Sequence, residues 1–310
     1  MNDDLSPETA TPATSRRTVL TAAAWSTPVI AVAAATPAQA ASRCSAQNVS
    51  LNWANTTATG PIPAEDTNAT ITRQFLFAQT AQTSPALPNM NVSVTHSFTG
   101  AARSANVTTS GTVSVLAQNA TRTGTNNNGN GIGPVGGTGQ PGYTISQRIT
   151  AASATARGVG PVTVNDYQDV LINFNEDVSN VRFTISDIDR SWTTTTRDFV
   201  DGVTVIATNA AGVNVPVVRT SPITNTSIVG AGTADSPFYR NVEGNVSEAG
   251  DLGNLRLIAG GPSPRQALRT IRIRYRNRGY LEAGSNVSNT DNNQTIFLTG
   301  LVVDRGTRVC

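Results

Sequence analysis

Short stretches in which apolar and polar residues alternate recur along this chain, and this pattern restricts its fold more than any other feature. The stretches are rich in Val, Ile and Thr, and turns of Gly, Asn and Pro separate them. No stretch has apolar residues at helical spacing over several turns. Because successive side chains of a strand point to opposite faces of a sheet, the alternation predicts strands with one buried face. We therefore expect an all-β protein.

The alternating stretches mark where the strands should lie. We expect them at residues 48–53, 69–77, 91–98, 106–117, 143–150, 169–174, 180–187, 202–208, 213–219, 254–259, 268–276 and 295–303. About 12 short strands joined by turns are typical of an antiparallel β-sandwich, and we expect one of the jelly-roll-like kind. Charged residues make up only 14% of the chain, and Thr, Asn and Ser take their place, as in extracellular β proteins.

Residues 1–40 have the features of an export signal peptide. Arg16 and Arg17 precede a mildly apolar stretch, and the small-residue pattern A-Q-A ends at Ala40. The order S-R-R-T-V-L resembles the twin-arginine export signal, and an ordinary secretory leader is the alternative. No later stretch is long and apolar enough to predict a membrane span. We expect an exported mature protein, residues 41–310, that is secreted or associated with the cell surface.

The mature part of the chain is expected to be one β-sandwich domain. About 270 residues can bury a core of that size, and two smaller domains are the alternative. The Gly- and Asn-rich segment 121–142 predicts a long mobile loop without buried side chains. Cys44 and Cys310 lie near the two ends, and in an exported protein two cysteines predict one disulfide. Two unpaired thiols are the alternative.

The charge of the mature protein argues against nucleic acid as a partner. Removing the leader takes away two of the 22 basic residues and three of the 20 acidic ones, which leaves a net charge of +3. So small an excess does not predict nucleic-acid binding.

Four aspartates lie from the end of the predicted strand 180–187 to the start of the next one: Asp187, Asp189, Asp198 and Asp201. If the strands form a hairpin with Ile185 opposite Val203, both apolar rows lie on one face and Asp187 faces Asp201. Facing carboxylates repel each other unless a cation or an arginine neutralises them. The spacing partly matches a calcium loop, so calcium bound by these four residues is one prediction. Neutralisation by Arg190 and Arg197, or a solvated loop tip, is the alternative.

Aromatic and basic residues mark two weaker candidate binding sites. Trp192 and Tyr239 stand among polar residues, where an aromatic ring can stack on a sugar. Alternatively, Trp192 folds back over the end of the core. Arg272, Arg274 and Arg276 alternate with apolar residues and should therefore line one face of a strand. Such a row can bind an acidic glycan or an anionic cell-wall polymer, or it can form a solvated face paired with carboxylates.

Motifs for catalysis are scarce. The single histidine, His96, lies within a predicted strand and is expected to be a buried or edge residue. Neither a nucleophile motif nor a zinc-ligand spacing accompanies it, and no pair of Glu residues marks a glycosidase. We therefore do not expect an enzyme.

The run FNEDVSNVRFTISDIDRSWTTTTRDFVDGVTV, followed by SPFYR, GNLRLIAGGP and LRTIRIRYRN, resembles a group of exported bacterial surface proteins. The resemblance covers residues 162–303. It implies a jelly-roll-like module and an exported location, and it implies no catalytic residues. The sequence thus predicts a non-catalytic exported module for recognition or structure, with a glycan or wall polymer as ligand. A secreted polysaccharide hydrolase and a passive cell-surface coat protein are the alternatives.

Overall fold

A computed structural model describes most of the chain after residue 45. The described residues are 46–53, 56–60, 67–78, 87–105, 121–122, 135–149, 160–195, 197–220, 227–261, 264–282, 286–287 and 294–306. The leader, Cys44, Cys310 and the predicted strand 106–117 lie outside these ranges, so the predictions made for them stay predictions. Gln47–Gly306 belong to one compact unit.

The described residues form strands and include the short 3-10 helix Arg278–Leu281, with no α-helix among them. The strands are β1 (Ala46–Leu51), β2 (Thr56–Thr59), β3 (Ile71–Phe77), β4 (Met90–Thr99), β5 (Ala102–Ser104), β6 (Thr121–Arg122), β7 (Gly142–Ile149), β8 (Gly160–Pro161), β9 (Tyr167–Ser186), β10 (Arg190–Trp192), β11 (Arg197–Thr208), β12 (Asn214–Val215), β13 (Val217–Arg219), β14 (Ile228–Val229), β15 (Phe238–Arg240), β16 (Leu255–Ala259), β17 (Leu268–Asn277), β18 (Asn286–Val287), β19 (Gln294–Leu298) and β20 (Leu301–Gly306). The predicted all-β, antiparallel, sandwich-like fold is confirmed. In this part of the chain no helix is long and apolar enough to cross a membrane.

The long strand β9 connects the two parts of the sheet. Its first half pairs with β4 on one side and β17 on the other, and its second half pairs with β16, β19 and β20. A bulge separates the halves, because Leu268 pairs with Val178 whereas Thr270 pairs with Asn173. The sequence predicted two strands here, at 169–174 and 180–187. They are one strand because neighbouring strands hydrogen-bond to β9 on both sides of the bulge.

The core lies under the apolar face of the strands. Alternate residues of β3, β4 and much of β9 are buried, as the period-two pattern predicted. In β11 residues 198–205 are all buried, because other parts of the chain cover both of its faces. Trp53 follows β1 and is 2% exposed, with its ring against Phe75, Phe77 and Tyr143. Its indole nitrogen donates to the carbonyl of Thr299 at 2.9 Å. Trp53 thereby ties the first strand to the turn between β19 and β20, which were predicted as one strand at 295–303.

The predicted hairpin between Ile185 and Val203 is wrong. Ile185 pairs with Leu255 of β16, and Val203 pairs with Tyr275 of β17. The chain leaves the direction of β9 at Asp187, which has a positive φ of 65°. A shorter hairpin then forms between β10 and β11, with Arg190 opposite Val200. Strands from distant parts of the chain therefore occupy the positions that a local hairpin would have filled.

The segment 121–142 was expected to have no buried side chains, and this prediction is wrong at its end next to β7. Val135 is fully buried against Phe297. The amides of Gly136 and Gly137 donate to the carbonyls of Glu248 and Ala249, both at 2.8 Å. The end of this segment next to β7 is therefore part of the packed structure, and residues 123–134 lie outside the described ranges.

Candidate functional site

The three arginines of β17 share one face of the sheet. Directly paired residues of an antiparallel ladder have side chains on the same face. Arg272, Arg274 and Arg276 are paired on one side with Ile206, Thr204 and Gly202 of β11, and on the other side with Leu171, Asp169 and Tyr167 of β9. The intervening Ile271, Ile273 and Tyr275 are fully buried in the core. The structure therefore brings the predicted arginine row together on the outer face.

Arg274 is engaged by its neighbours on β9. Its Nε and Nη2 donate to the two carboxylate oxygens of Asp169, both at 2.8 Å. Its guanidinium carbon lies 3.7 Å from the centre of the Tyr167 ring. The hydrogen bonds to Asp169 raise the pKa of Arg274 further above its ordinary value. This arginine matches the alternative in which the row pairs with carboxylates.

Arg276 is buried and only partly engaged. Its residue is 1% exposed, and Nη1 donates to the Tyr280 hydroxyl at 3.1 Å and to the Ala234 carbonyl at 3.4 Å. Its Nε and Nη2 are shielded from solvent and donate to no atom of the residues that the structure describes. Gly202 leaves room for this side chain, because a Cβ there would lie 3.2 Å from the Arg276 Cγ. Arg272, the third member of the row, is exposed.

A pocket of about 340 Å³, which we call the arginine pocket, opens beside this row. Strand β11 pairs with β17 along one edge. Along its other edge it pairs with β15 through residues 202–203 and with β12 through residues 207–208. Within the described chain, residues 204–206 have no strand partner on that edge. The pocket occupies this gap, and its lining consists of Thr204, Val205, Ile206, Ala207, Asn214, Val215, Val217, Gly232, Thr233, Ala234, Arg272, Arg274 and Arg276.

The loop 230–236, here called the rim loop, forms one side of the arginine pocket. It is braced internally by hydrogen bonds from the amides of Ala231 and Thr233 to the Ser236 carbonyl, at 3.0 and 3.1 Å. Thr204 Oγ1 of β11 donates to the Thr233 carbonyl at 3.1 Å. Gly232 has a φ of +75°, and a Cβ there would lie 2.3 Å from the Phe238 ring. Only glycine therefore allows the rim loop to approach β15 in this way.

Two of the aspartates, Asp189 and Asp201, accept hydrogen bonds from uncharged groups. Asp201 is 1% exposed, and its carboxylate accepts from the Tyr275 hydroxyl at 2.6 Å and from the Asp189 amide at 2.9 Å. Asp189 accepts from the Val246 amide at 2.9 Å. Burial raises the pKa of Asp189 to about 7, against the opposing effect of the nearby Arg240 charge. The pKa of Tyr275 is raised by burial and then by the charges of Asp201, Asp187 and Asp189.

The alternative assigned Arg190 to neutralise the aspartates, but this arginine pairs with glutamates instead. It pairs with Glu243 at 3.2 Å and with Glu282 at 3.1 Å. Asp198 is 3% exposed, and its carbonyl accepts from the Asn277 side chain at 2.9 Å. Across the described ranges, no group of three or more His, Cys, Asp or Glu residues is arranged to hold a metal ion. Calcium at Asp187, Asp189, Asp198 and Asp201 stays a prediction.

If the aspartates bind calcium, the protein should melt at a higher temperature when calcium is present. A ligand bound only by the folded state raises stability, so the melting midpoint should rise between chelator and millimolar calcium. The Asp187→Asn variant should lose this rise. Coincident midpoints for the wild-type protein in the two buffers would exclude calcium from the cluster.

Neither of the two aromatic residues predicted to bind a ligand lines the arginine pocket. Trp192 is 5% exposed and packs with Val162 and Val200. A Cβ on Gly279 would lie 2.3 Å from its ring, so the indole covers this backbone closely. Trp192 therefore has the folded-back position that was the alternative, and it presents no open ring face for a sugar. Tyr239 is half-buried, and the Arg278 guanidinium lies 3.6 Å from its ring centre.

His96 is buried between strands, which matches its expected structural position. It is 1% exposed, its Nε2 bonds to the Tyr143 hydroxyl, and its Nδ1 bonds to the Gln168 amide at 2.8 Å. Burial, and to a smaller extent the charge of Arg73, lowers the pKa of His96 to about 3. His96 is therefore neutral at physiological pH.

Two comparisons with known proteins found no relative of this chain. No family model matches the chain. No curated protein matches its sequence either. The arginine pocket and the aspartate cluster are therefore interpreted from their own contacts.

Sequence reasoning missed three contributors to these sites: Tyr275, Arg240 and the rim loop. Tyr275 had a signal, because it is a hydroxyl-bearing residue in a row of otherwise aliphatic core positions. The glycines at 230 and 232 indicated a turn, but not that the turn lies against Arg276. Arg240 had no signal that separated it from other arginines.

Proposed function

We propose that this protein is a non-catalytic exported recognition module that binds an acidic glycan or an anionic cell-wall polymer in the arginine pocket. The observation that carries the proposal is the convergence of three arginines on one pocket of about 340 Å³. Pockets of about 300–1,000 Å³ are the usual size for small ligands. A pocket of this size fits one or two sugar units of a polymer, whereas a long flat surface would bind many units at once.

The lining of the arginine pocket suits a charged sugar. Arg272 and Arg276 supply positive charge, and the hydroxyl groups of Thr204 and Thr233 and the amide of Asn214 are polar. Ile206, Val215 and Val217 add apolar surface, against which the C–H face of a sugar ring can pack. Export follows from the predicted leader, and a polymer outside the cell is then the accessible anionic partner.

A matched pair of variants tests the site. Arg272→Gln removes an exposed charge from the arginine pocket, and Arg182→Gln removes an exposed charge from β9 outside it. We expect the first to weaken binding of a uronic-acid polymer by about two- to fivefold, because exposed ion pairs contribute little each. We expect the second to leave affinity unchanged. Affinity electrophoresis with neutral dextran as the control polymer measures both.

The same experiment separates the alternatives. Shortening of the polymer during incubation would support the hydrolase, and no retardation by any anionic polymer would support the coat protein. Equal losses for both variants would show that overall charge, and not the arginine pocket, attracts the polymer. Binding should also weaken with added salt, because exposed charges are screened.

A further inference from the structure

We infer that Arg276 determines the specificity of the arginine pocket by binding one carboxylate group carried on a sugar ring. This inference rests on the proposed function and names the chemical group that the site selects. Three observations carry it: the state of the Arg276 guanidinium, the occupied state of Arg274, and the restricted approach past the rim loop.

The unengaged donors of Arg276 form a single binding edge. Nη1 is used by Tyr280 and Ala234, whereas Nε and Nη2 have no acceptor among the described residues. The N–H groups of Nε and Nη2 point in the same direction, at a spacing that fits the two oxygens of a carboxylate. Leaving charged donors buried without acceptors costs stability, so an oxyanion at this edge is favoured.

Arg274 shows the occupied form of the same edge. Its Nε and Nη2 are both bound by the Asp169 carboxylate at 2.8 Å, so it has no side-on edge for a ligand. Arg272 is exposed and therefore strongly hydrated. Of the three arginines, Arg276 alone is both buried and unoccupied at this edge, so the pocket is built for one anionic group and not for a row of them.

The approach to Arg276 favours a carboxylate over a phosphodiester. Nε and Nη2 are shielded from solvent, and Gly232, Thr233 and Ala234 of the rim loop line the pocket beside Arg276, so an anionic group that approaches from the pocket passes the rim loop. The contact between Arg276 Nη1 and Ala234 is long for a hydrogen bond, at 3.4 Å, so the rim loop holds the guanidinium weakly. A carboxylate projects from its sugar on one bond. A phosphodiester is joined to the polymer on two sides, so it needs a wider opening to bring its oxygens to a buried group.

The ligand comparison uses the full-length wild-type protein. Isothermal titration with a short galacturonate oligomer, its methyl ester and a glycerol-phosphate oligomer separates charge from shape. We expect the acid to bind at least about tenfold more tightly than the ester, since hydrogen bonds to charged groups are strong. We also expect it to bind more tightly than the phosphodiester. Equal affinity for acid and ester, or tighter binding of the phosphodiester, would overturn the inference.

The variant Arg276→Lys keeps the positive charge but has no side-on edge. We expect it to bind galacturonate about 10- to 100-fold more weakly, and Arg272→Lys to lose less than about twofold. Wild-type affinity in Arg276→Lys, together with a loss in Arg272→Gln, would reject Arg276 and leave the proposed function standing. If the wild type binds no anionic polymer, both fail. If Arg276→Lys does not melt cooperatively, the acid and ester titrations of the wild type decide.

Discussion

Acidification from pH 7 to pH 4.5 is expected to destabilise the wild-type protein relative to a His96→Gln variant by about 2–3 kcal/mol. The pKa of His96 is lowered by burial to about 3 in the folded protein, from 6.5 in the unfolded chain. Below pH 6.5 the unfolded chain therefore takes up a proton that the folded protein does not. The stability that neutral His96 provides is present above pH 6.5 and is lost progressively as the pH falls towards 3.

The variant comparison is needed because Asp189 acts in the opposite direction. Its folded pKa is raised to about 7 from 3.8, so it adds stability at low pH that is lost as the pH rises through 7. The two groups partly cancel in the wild-type protein. We therefore expect Asp189→Asn to become more sensitive to acid than the wild type, and His96→Gln less sensitive. Urea unfolding at both pH values measures this, and a constant difference between wild type and His96→Gln would contradict it.

The Trp53→Ala variant is expected to lose about 3–5 kcal/mol of unfolding free energy, the usual cost of removing a buried large aromatic. The indole is 2% exposed, and its ring centre lies 5.4 Å from those of Phe75 and Phe77 and 4.9 Å from that of Tyr143. The change also leaves the Thr299 carbonyl without the indole N–H. Phe75 and Phe77 lie on β3 and Tyr143 lies on β7, and because both strands are held by sheet pairing, their rings cannot close the cavity easily.

Chemical denaturation measures the loss, with Leu252→Ala as the control. Leu252 is 57% exposed, so its truncation should change stability by less than about 0.5 kcal/mol. A similar small change for Trp53→Ala would show that the first strand is not part of the cooperative core. Trp53 was inside a predicted strand, but its central position among aromatic rings was not predicted.

Local pattern was enough for the features that depend on a few neighbouring residues. The alternation in β3 and β4 predicted which residues are buried, because the two faces of a strand are set by parity. The same parity placed Arg272, Arg274 and Arg276 on the face opposite Ile271, Ile273 and Tyr275. It also placed His96 within β4, at the same parity as the buried Met90, Val92 and Val94, so its burial follows from its position.

Strand partners were beyond the reach of local pattern. Ile185 has an apolar row that suits Val203 as well as it suits Leu255, so parity does not distinguish a hairpin from a distant partner. The positive φ at Asp187, and the competition from β16 and β17, decided between them. The aspartates still approach each other around Tyr275, but through a different pairing.

The sequence by itself determined the fold class, the buried and outer faces of the strands, and the presence of an arginine row on one of them. Only the tertiary structure decided that Arg274 is occupied by Asp169 whereas Arg276 retains an unoccupied buried edge. The three arginines have the same sequence context, and they differ through Asp169 of β9, Gly202 of β11 and the rim loop. Those contacts join residues far apart in the chain, so no local pattern encodes them.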